Sequence, residues 1–530
     1  MISLLDYGAG NVRSVVNAIE HLGEQVRLVS SPEDLASAEK LVFPGVGHYG
    51  ELMRVLREKG LREPLIRHLR SGRPFFGICV ALQALYEGSE EAPDEAGLGL
   101  YPGRVRRFAG ELPVPHIGWN GIRACKASPF LAGFDGSEKL YFVHSYHVPA
   151  AGSGPEALTL TDYGAAFVSA IADGQRIATQ FHPEKSGQAG LRLLENFLQA
   201  DRAAEAILPP RCPEKTALAK RIIACLDVRA NDQGDLVVTK GDRYEVREAG
   251  RVRNLGKPVA LAADYYRQGA DEITFLNITG FRDFPLHDQP MLRVLEETAK
   301  LVFVPLTIGG GIRDFTDRNG VFSSSLEVAA RYFRAGADKV SIGSDAVAIV
   351  EQYLQSGKAS GLSSIEQIAR VYGNQAVVIS IDPRRVYVHD PAKVPAAHIQ
   401  CIETAEPGPE GERFCWYQCT VQGGREGRPV DALTVAAVCE HLGAGEILLN
   451  CIDRDGTGAG FDLELIRAVR HAVGIPVIAS SGAGCTDHFV ALFTATNADA
   501  ALAAGIFHRR EVPIAAVKTA LLDRVPVRQL

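Results

Sequence analysis

Hydrophobic and polar positions follow two alternating patterns along the whole chain. Short continuous apolar runs, typical of strands covered on both faces, are followed by stretches in which apolar residues recur every three or four positions, as on one face of a helix. In residues 1–199 the runs are "MISLLDYG", "QVRLVS", "KLVFPGVG", "PFFGIC", "LYFVHSYHV", "AAFVSAIADG" and "RIATQFHPE". With helical stretches between several of them, they predict an α/β sheet.

In the second part the pattern repeats itself. "IIACLD" from Ile222 resembles "VVISID" from Val377, and "GADEITFLNIT" from Gly269 resembles "GAGEILLNCID" from Gly443. "VPLTIGGGI" from Val304 matches "IPVIASSGAG" from Ile475, and "GADKVSIGS" from Gly336 matches "NADAALAAG" from Asn497, in the same order. Four strand and helix units per half make eight, which predicts a (β/α)8 barrel. Its strands are expected near 222–227, 272–278, 304–308, 338–342, 376–382, 446–452, 475–479 and 499–503, with an excursion over 394–428 after the fifth.

Gln199 to Arg221 carries three prolines and many charges, and it separates the two patterned regions. It places a linker at 200–218, between a first domain over 1–199 and a barrel over 219–530. At 530 residues, 46% hydrophobic and 22% charged, the composition is ordinary for soluble globular protein of two or three domains. A formal charge of −7 without a basic run argues against nucleic acid as a partner, and no run has the length of a membrane span. The ten cysteines are scattered through apolar segments, as expected of reduced thiols. Cys415 and Cys419 form the one close pair, but no histidine or second pair completes a zinc site, so no metal centre is expected. The start "MISLLDYGAGN" runs directly into a strand, which makes the cytoplasm the expected compartment, or a plastid if a transit peptide has been trimmed.

Cys79 falls between the strand-like Phe75–Ile78 and the helical Val80–Tyr86. Most free cysteines are small core hydrophobes. A sharp strand-to-helix turn offers another use, because it lifts a thiol clear of the sheet and aims it at helix amides that favour thiolate. Gly77 and Ala81 are small enough for such a turn, and "TQFHPEKSG" supplies a base, His182, with Glu184 two residues on to orient it. The order Cys, His, Glu differs from that of the hydrolases, where the acid precedes the histidine. It resembles the class I glutamine amidotransferases. The resemblance implies that Gly45, Val46 and Gly47 in "FPGVGHYG" turn amides toward the oxyanion, that Gln83 binds the substrate amino acid, and that Ser145 and Tyr146 in "VHSYHV" complete the glutamine pocket. One position departs from the family, which usually has glycine where Ala81 stands.

In the barrel the repeat puts Asp227 at the end of strand one and Asp382 at the end of strand five, on opposite sides of the mouth where barrel active sites lie. They are a candidate acid and base pair. Glycine-rich turns follow strands three (Gly310, Gly311), four (Gly343, Ser344), seven (Ser481, Gly482, Gly484) and eight (Ala504, Gly505). Such turns offer open amides at helix starts, so two opposed anion sites predict a long substrate with a phosphate at each end.

This half resembles the cyclase of the imidazole glycerol phosphate synthases of histidine biosynthesis, through "RIIACLDV", "VVTKGDRYE", "GGGIR", "GADKVSIGS", "IDRDGTGAGFD" and "AGIFH". Glutaminase and cyclase on one chain, with the insertion around "CWYQCT", are most similar to the fused eukaryotic members. The resemblance implies that ammonia from glutamine attacks the phosphoribulosyl-formimino carboxamide ribonucleotide, yielding imidazole glycerol phosphate and aminoimidazole carboxamide ribonucleotide. Lys240, Asp455 and Gly456 match substrate contacts of that family. The expected partners are small molecules, glutamine and a bisphosphorylated ribonucleotide, with no cofactor and a monomeric chain. Two alternatives stay open: an isomerase-like barrel carrying a regulatory glutaminase-like domain, and a scaffold with an inactive elbow.

On strand one Arg221, Ile223, Cys225 and Asp227 share a face, so an inward Asp227 at the top implies an inward Arg221 at the bottom. Glu272, Lys339 and Glu446 begin strands two, four and six. The four charges are expected to ring the lower mouth. They form either a salt-bridge cluster or, as the resemblance implies, a gate for ammonia.

Overall fold

The structure is a computed structural model of the 530-residue chain; it describes all residues except 9, 200–207, 210, 212, 232–234, 240–246, 249–250, 253, 279–289, 397, 406 and 530. In the first domain six of the seven apolar runs become strands of a sheet in the order Val26–Val29, Ile2–Leu5, Leu41–Phe43, Phe75–Ile78, Arg176–Thr179, Ala165–Asp173, Ala157–Tyr163, Arg123–Ala124, while the run from Leu140 pairs separately with His116–Asn120. The first five strands are parallel and the rest antiparallel. Phe75–Ile78 lies inside this sheet with every residue buried, which is why it reads as an unbroken apolar run. The sequence pattern missed smaller strands, among them Ala92–Ala96, Arg104–Arg107 and His116–Asn120.

The second domain closes on itself. Its strands run Arg221–Ala230, Glu272–Asn277, Leu306–Gly309, Lys339–Ile342, Val377–Ile381, Glu446–Asn450, Val477–Ser480 and Ala500–Ala503, all parallel, and the last pairs with the first through Arg221↔Ala500. Each begins or ends within three residues of its expected position. The predicted face of strand one is also found. Ile223 and Cys225 join Val378, Leu448, Ile478 and Leu502 in a small interior core, while Ile222, Ala224 and Leu226 pack outward into the layer under the helices. After the fifth strand a separate antiparallel sheet is built from Pro383–Val388, Ile402–Glu403, Phe414–Val421 and Glu426–Asp431, beginning earlier than residue 394.

The starts of the barrel strands face the first domain. Trp119 Nε1 donates to Asp271 O (3.1 Å), Gly187 N to Phe303 O (2.9 Å) and Val114 N to Gly474 O (2.9 Å). Arg528 lies over the Trp119 ring at 4.1 Å, and Lys185 pairs with Asp338 at 2.6 Å.

Candidate active sites

Cys79 ends its strand and caps the helix Val80–Ala84 with φ +53° and ψ −110°. A non-glycine residue in that region costs about 1–3 kcal/mol, and such strain persists where the surroundings fix it. Here Cys79 N donates to Thr179 O at 2.6 Å, and Gly45 packs against the turn so closely that a Cβ on it would stand 2.3 Å from Ala81 N. The thiol receives Gln180 Nε2 at 3.4 Å. His182 Nδ1 faces Glu184 Oε1 at 2.8 Å, both side chains buried. Burial by itself disfavours a charged ring, but Glu184 and Cys79 outweigh it and hold the imidazole well above its ordinary range. The buried Glu184 and the neighbouring Cys79 therefore favour an imidazolium at His182.

The other predicted pocket residues gather around this elbow. Gln83 is buried, and its Nε2 donates to Tyr146 O (2.9 Å) and Gln180 Oε1 (3.1 Å), so it braces the pocket wall. Ser145 Oγ reaches across to Asn374 Oδ1 of the barrel at 3.1 Å. Gly47 has φ +105° and abuts the barrel, where a Cβ would stand 3.0 Å from Val371 O. One hydroxyl engages the peptide units on both sides of Val46: Tyr7 Oη donates to Val46 O (2.6 Å) and accepts from Val46 N (3.2 Å). The Val46 amide is therefore already engaged by the Tyr7 hydroxyl.

At the other end of the barrel, Asp227 is buried near the top of strand one, with Cys225 Sγ 3.9 Å from its Oδ1. Asp382 directly follows strand five. Its Oδ1 accepts from Asn450 Nδ2 (2.9 Å), and its carbonyl accepts from Thr420 Oγ1 (2.7 Å) of the inserted sheet. Gly310 and Gly311 take φ +92° and +82°, and Gly343 caps the helix Ser344–Ser356. Ser481 and Gly482 take φ +72° and +95°; Gly484 is pressed against Gly458, and Ala504 caps Gly505–His508. Asp455 is buried and Gly456 has φ +74°. Lys240 lies outside the described residues.

The charged ring is present at the bottom. Lys339 Nζ stands 2.6 Å from Glu272 and 2.7 Å from Glu446; Arg221 pairs with Glu272 at 3.0 Å and also with Glu446. All four side chains are at most 1% exposed. Burial pushes the Glu446 carboxyl up, but Arg221 and Lys339 outweigh it and hold it below its ordinary value. A cavity of about 50 Å³ lies between the elbow and Lys339 of the ring: Cys79, His182 and Tyr141 line it from one domain, Lys339, Asp338 and Gln375 from the other.

Several residues of these sites had no sequence signal of their own. Tyr7, Gln180 and Asn450 act through partners brought together only by tertiary packing. Lys185 and Asp338 stood beside predicted residues, in "HPEK" and "ADK".

The histidine biosynthesis protein family model matches residues 221–513, and the class-I glutamine amidotransferase model residues 3–200. The chain is 56% identical to the chloroplastic imidazole glycerol phosphate synthase hisHF of Arabidopsis thaliana, over 100% of this chain and 89% of that one. It is 53% identical to hisHF of Schizosaccharomyces pombe over 98% of each chain, and 53% identical to hisHF of Emericella nidulans over 99% of this chain and 98% of that one. With an amidotransferase elbow and a cyclase barrel on one polypeptide, the chain belongs to the bifunctional imidazole glycerol phosphate synthases.

Proposed function

We propose that Cys79, His182 and Glu184 release ammonia from glutamine, and that Asp227 and Asp382 carry the proton transfers of cyclisation. The Cys79 thiolate attacks the glutamine carboxamide carbon. His182 gives its proton to the departing nitrogen, so ammonia leaves and a glutamyl thioester stays on the sulfur. Water, deprotonated by His182, then hydrolyses the thioester to glutamate and restores the thiolate beside a protonated His182. Ammonia passes the ring and travels inside the barrel to a bisphosphorylated ribonucleotide. That substrate is held by the glycine turns at Gly310, Gly343, Gly482 and Gly505. One chain holds both activities and works as a monomer.

The observation that carries this reading is the small cavity lined at once by Cys79 and His182 and by Lys339. It has room for a molecule the size of water or ammonia. Kinetics with glutamine and, separately, with ammonium test it. Cys79→Ala should lose product formation from glutamine and keep it from ammonium. Asp227→Asn and Asp382→Asn should each lower cyclisation from either nitrogen source by about a hundredfold, the scale of a lost general acid or base. Glutamine-dependent product from Cys79→Ala would overturn the nucleophile assignment, and near-normal cyclisation in both aspartate variants would overturn the other.

A further inference from the structure

Behind the glutamine pocket lies a line of buried polar groups that the reaction itself does not use. Asn120, His116 and His144 are at most 3% exposed, and Phe108, Phe142, Tyr163 and Phe167 pack around the two rings, with His116 stacked on Tyr163 at 4.2 Å. His144 Nδ1 is 2.7 Å from Tyr146 O, His116 Nδ1 is 3.1 Å from His144 Nε2, and Asn120 Nδ2 is 3.3 Å from His116 Nε2.

These contacts fix where every proton sits. A carbonyl oxygen only accepts, so His144 carries its proton on Nδ1. In a neutral ring its Nε2 must then accept, which puts the proton of His116 on Nδ1 and leaves His116 Nε2 to accept from Asn120. The Asn120 amide is oriented to match, since its Oδ1 accepts from Gly121 N (2.8 Å) and its Nδ2 also donates to Asp162 O (3.1 Å). Burial in the aromatic cage keeps both rings neutral, holding His116 well below its ordinary value and His144 at about 3.

Both ends of the line reach functional parts of the molecule. Tyr146 O, where it ends, also accepts from Gln83 Nε2; Gln83 donates in turn to Gln180 Oε1, and Gln180 Nε2 donates to the Cys79 sulfur. At the other end Asp162 N donates to Thr216 Oγ1 (2.8 Å), and Thr216 N donates to Asp162 Oδ2 (2.8 Å), five residues before Arg221 opens the barrel.

We infer that His116 and His144 are positioning residues of the glutaminase: they fix the Tyr146 carbonyl and, through Gln83 and Gln180, the hydrogen bond that favours thiolate at Cys79. This rests on Cys79 being the nucleophile. A hydrogen bond to the charged form of a group lowers its pKa, so loosening any link upstream of Gln180 should weaken that support.

Paired substitutions in the full chain test it. Asparagine places an amide donor where the imidazole Nδ1 stands, and leucine places none. His144→Leu should lower kcat/KM for glutamine by about tenfold, the scale of one lost buried hydrogen bond. In the same variant the pH midpoint for alkylation of Cys79 by iodoacetamide, followed on its own peptide by mass spectrometry, should rise by about half a unit. His144→Asn should restore both, and ammonium-dependent cyclisation, which reports an intact fold, should not change. Should His144→Leu fail to fold, His116→Leu against His116→Asn is read in the same way one link farther back. The inference fails if a folded leucine variant keeps the parental kcat/KM and alkylation midpoint, or if asparagine is as damaging as leucine. Failure of the nucleophile assignment is separate, since it shows as glutamine-dependent product from Cys79→Ala.

Discussion

Lys185 Nζ and Asp338 Oδ2 meet at 2.6 Å across the junction of the two domains, with the lysine side chain 3% exposed. Lys185 follows His182 by three residues, and Asp338 directly precedes Lys339 of the charged ring. Asn11 Nδ2 donates to the same aspartate at 2.8 Å, and Leu306 N donates to its Oδ2 at 2.8 Å, so the carboxylate is fixed from both domains. One ion pair thus ties the segment that carries His182 to the strand that begins with Lys339 of the charged ring.

Lys185→Met should therefore weaken communication more than chemistry. If a ribonucleotide bound in the barrel stimulates glutamine hydrolysis, that stimulation should fall by about tenfold, within the usual range of coupling between sites. Ammonium-dependent cyclisation should stay at the parental rate. Steady-state glutamate release with and without ribonucleotide measures the ratio, and an unchanged ratio would make the pair a simple clamp.

The ring itself predicts a different defect. Lys339 neutralises Glu272 and Glu446 together, so Lys339→Met leaves Arg221 alone between two buried carboxylates. Breaking a buried ionic group by removing one partner costs about 3–5 kcal/mol, and melting temperature should drop. If the ring also passes ammonia, more glutamine should be consumed per product formed, with ammonium-dependent cyclisation largely kept. A ratio near one with only the melting temperature lowered would mark the ring as structural.

The barrel was legible because its repeat is written in strands whose neighbours are the same in each half, and because inward and outward positions alternate along Arg221–Ala230. The Cys79 elbow was legible because a strand run, small residues and a helical run abut there. Arg104–Arg107, "RVRR", was not: three of its four residues are exposed, and it is a strand because Tyr146–His147 and Gly88–Ser89 pair with it. The same holds for the polar groups around the sites. Asn450 is an ordinary strand residue until folding sets its amide against Asp382, and the engagement of Val46 by Tyr7 joins residues 39 positions apart. The family resemblance implied that the Val46 amide turns toward the oxyanion, whereas in the structure that amide donates to the Tyr7 hydroxyl.

That engagement is itself testable. Tyr7 is 2% exposed, and burial raises its phenol far above the ordinary value, so it stays a neutral donor to Val46 O. A Cβ on Gly10 would stand 1.6 Å from Val46 Cγ2, so the loop is also confined sterically. Tyr7→Phe removes the two hydrogen bonds and keeps the ring. With the peptide freer to turn its amide toward the thiol, glutamine hydrolysis without ribonucleotide should rise by about tenfold or less, the span of one or two weak hydrogen bonds. Glutamate release measured without ribonucleotide decides the matter, and an unchanged basal rate would show that Tyr7 does not restrain the loop.

Acid should weaken the first domain through its buried histidines. Burial lowers His116 well below its ordinary value, His144 to about 3 and His147 to about 4. In the unfolded chain each titrates near 6.5. Between that pH and the folded values the unfolded state binds protons that the folded state refuses, so stability is complete above about pH 7 and falls as the pH drops. Each ring contributes a slope of about 1.4 kcal/mol per pH unit over that window. His182 has the opposite sign, since its raised folded value adds stability below 6.5 that is lost only as the pH rises through that value; it does not offset the acid limb. His147 offers the cleanest test because its ring stacks on Phe108 at 4.2 Å and 14°, and its Nδ1 makes no hydrogen bond among the described residues. His147→Phe should keep the stacking and remove one proton uptake from unfolding. Denaturant unfolding of the variant should match the parent at pH 7.5 and exceed it by about 1–2 kcal/mol at pH 5.5, the linkage expected of one histidine over that interval. Equal stabilities at both pH values would mean that His147 is already protonated in the folded protein.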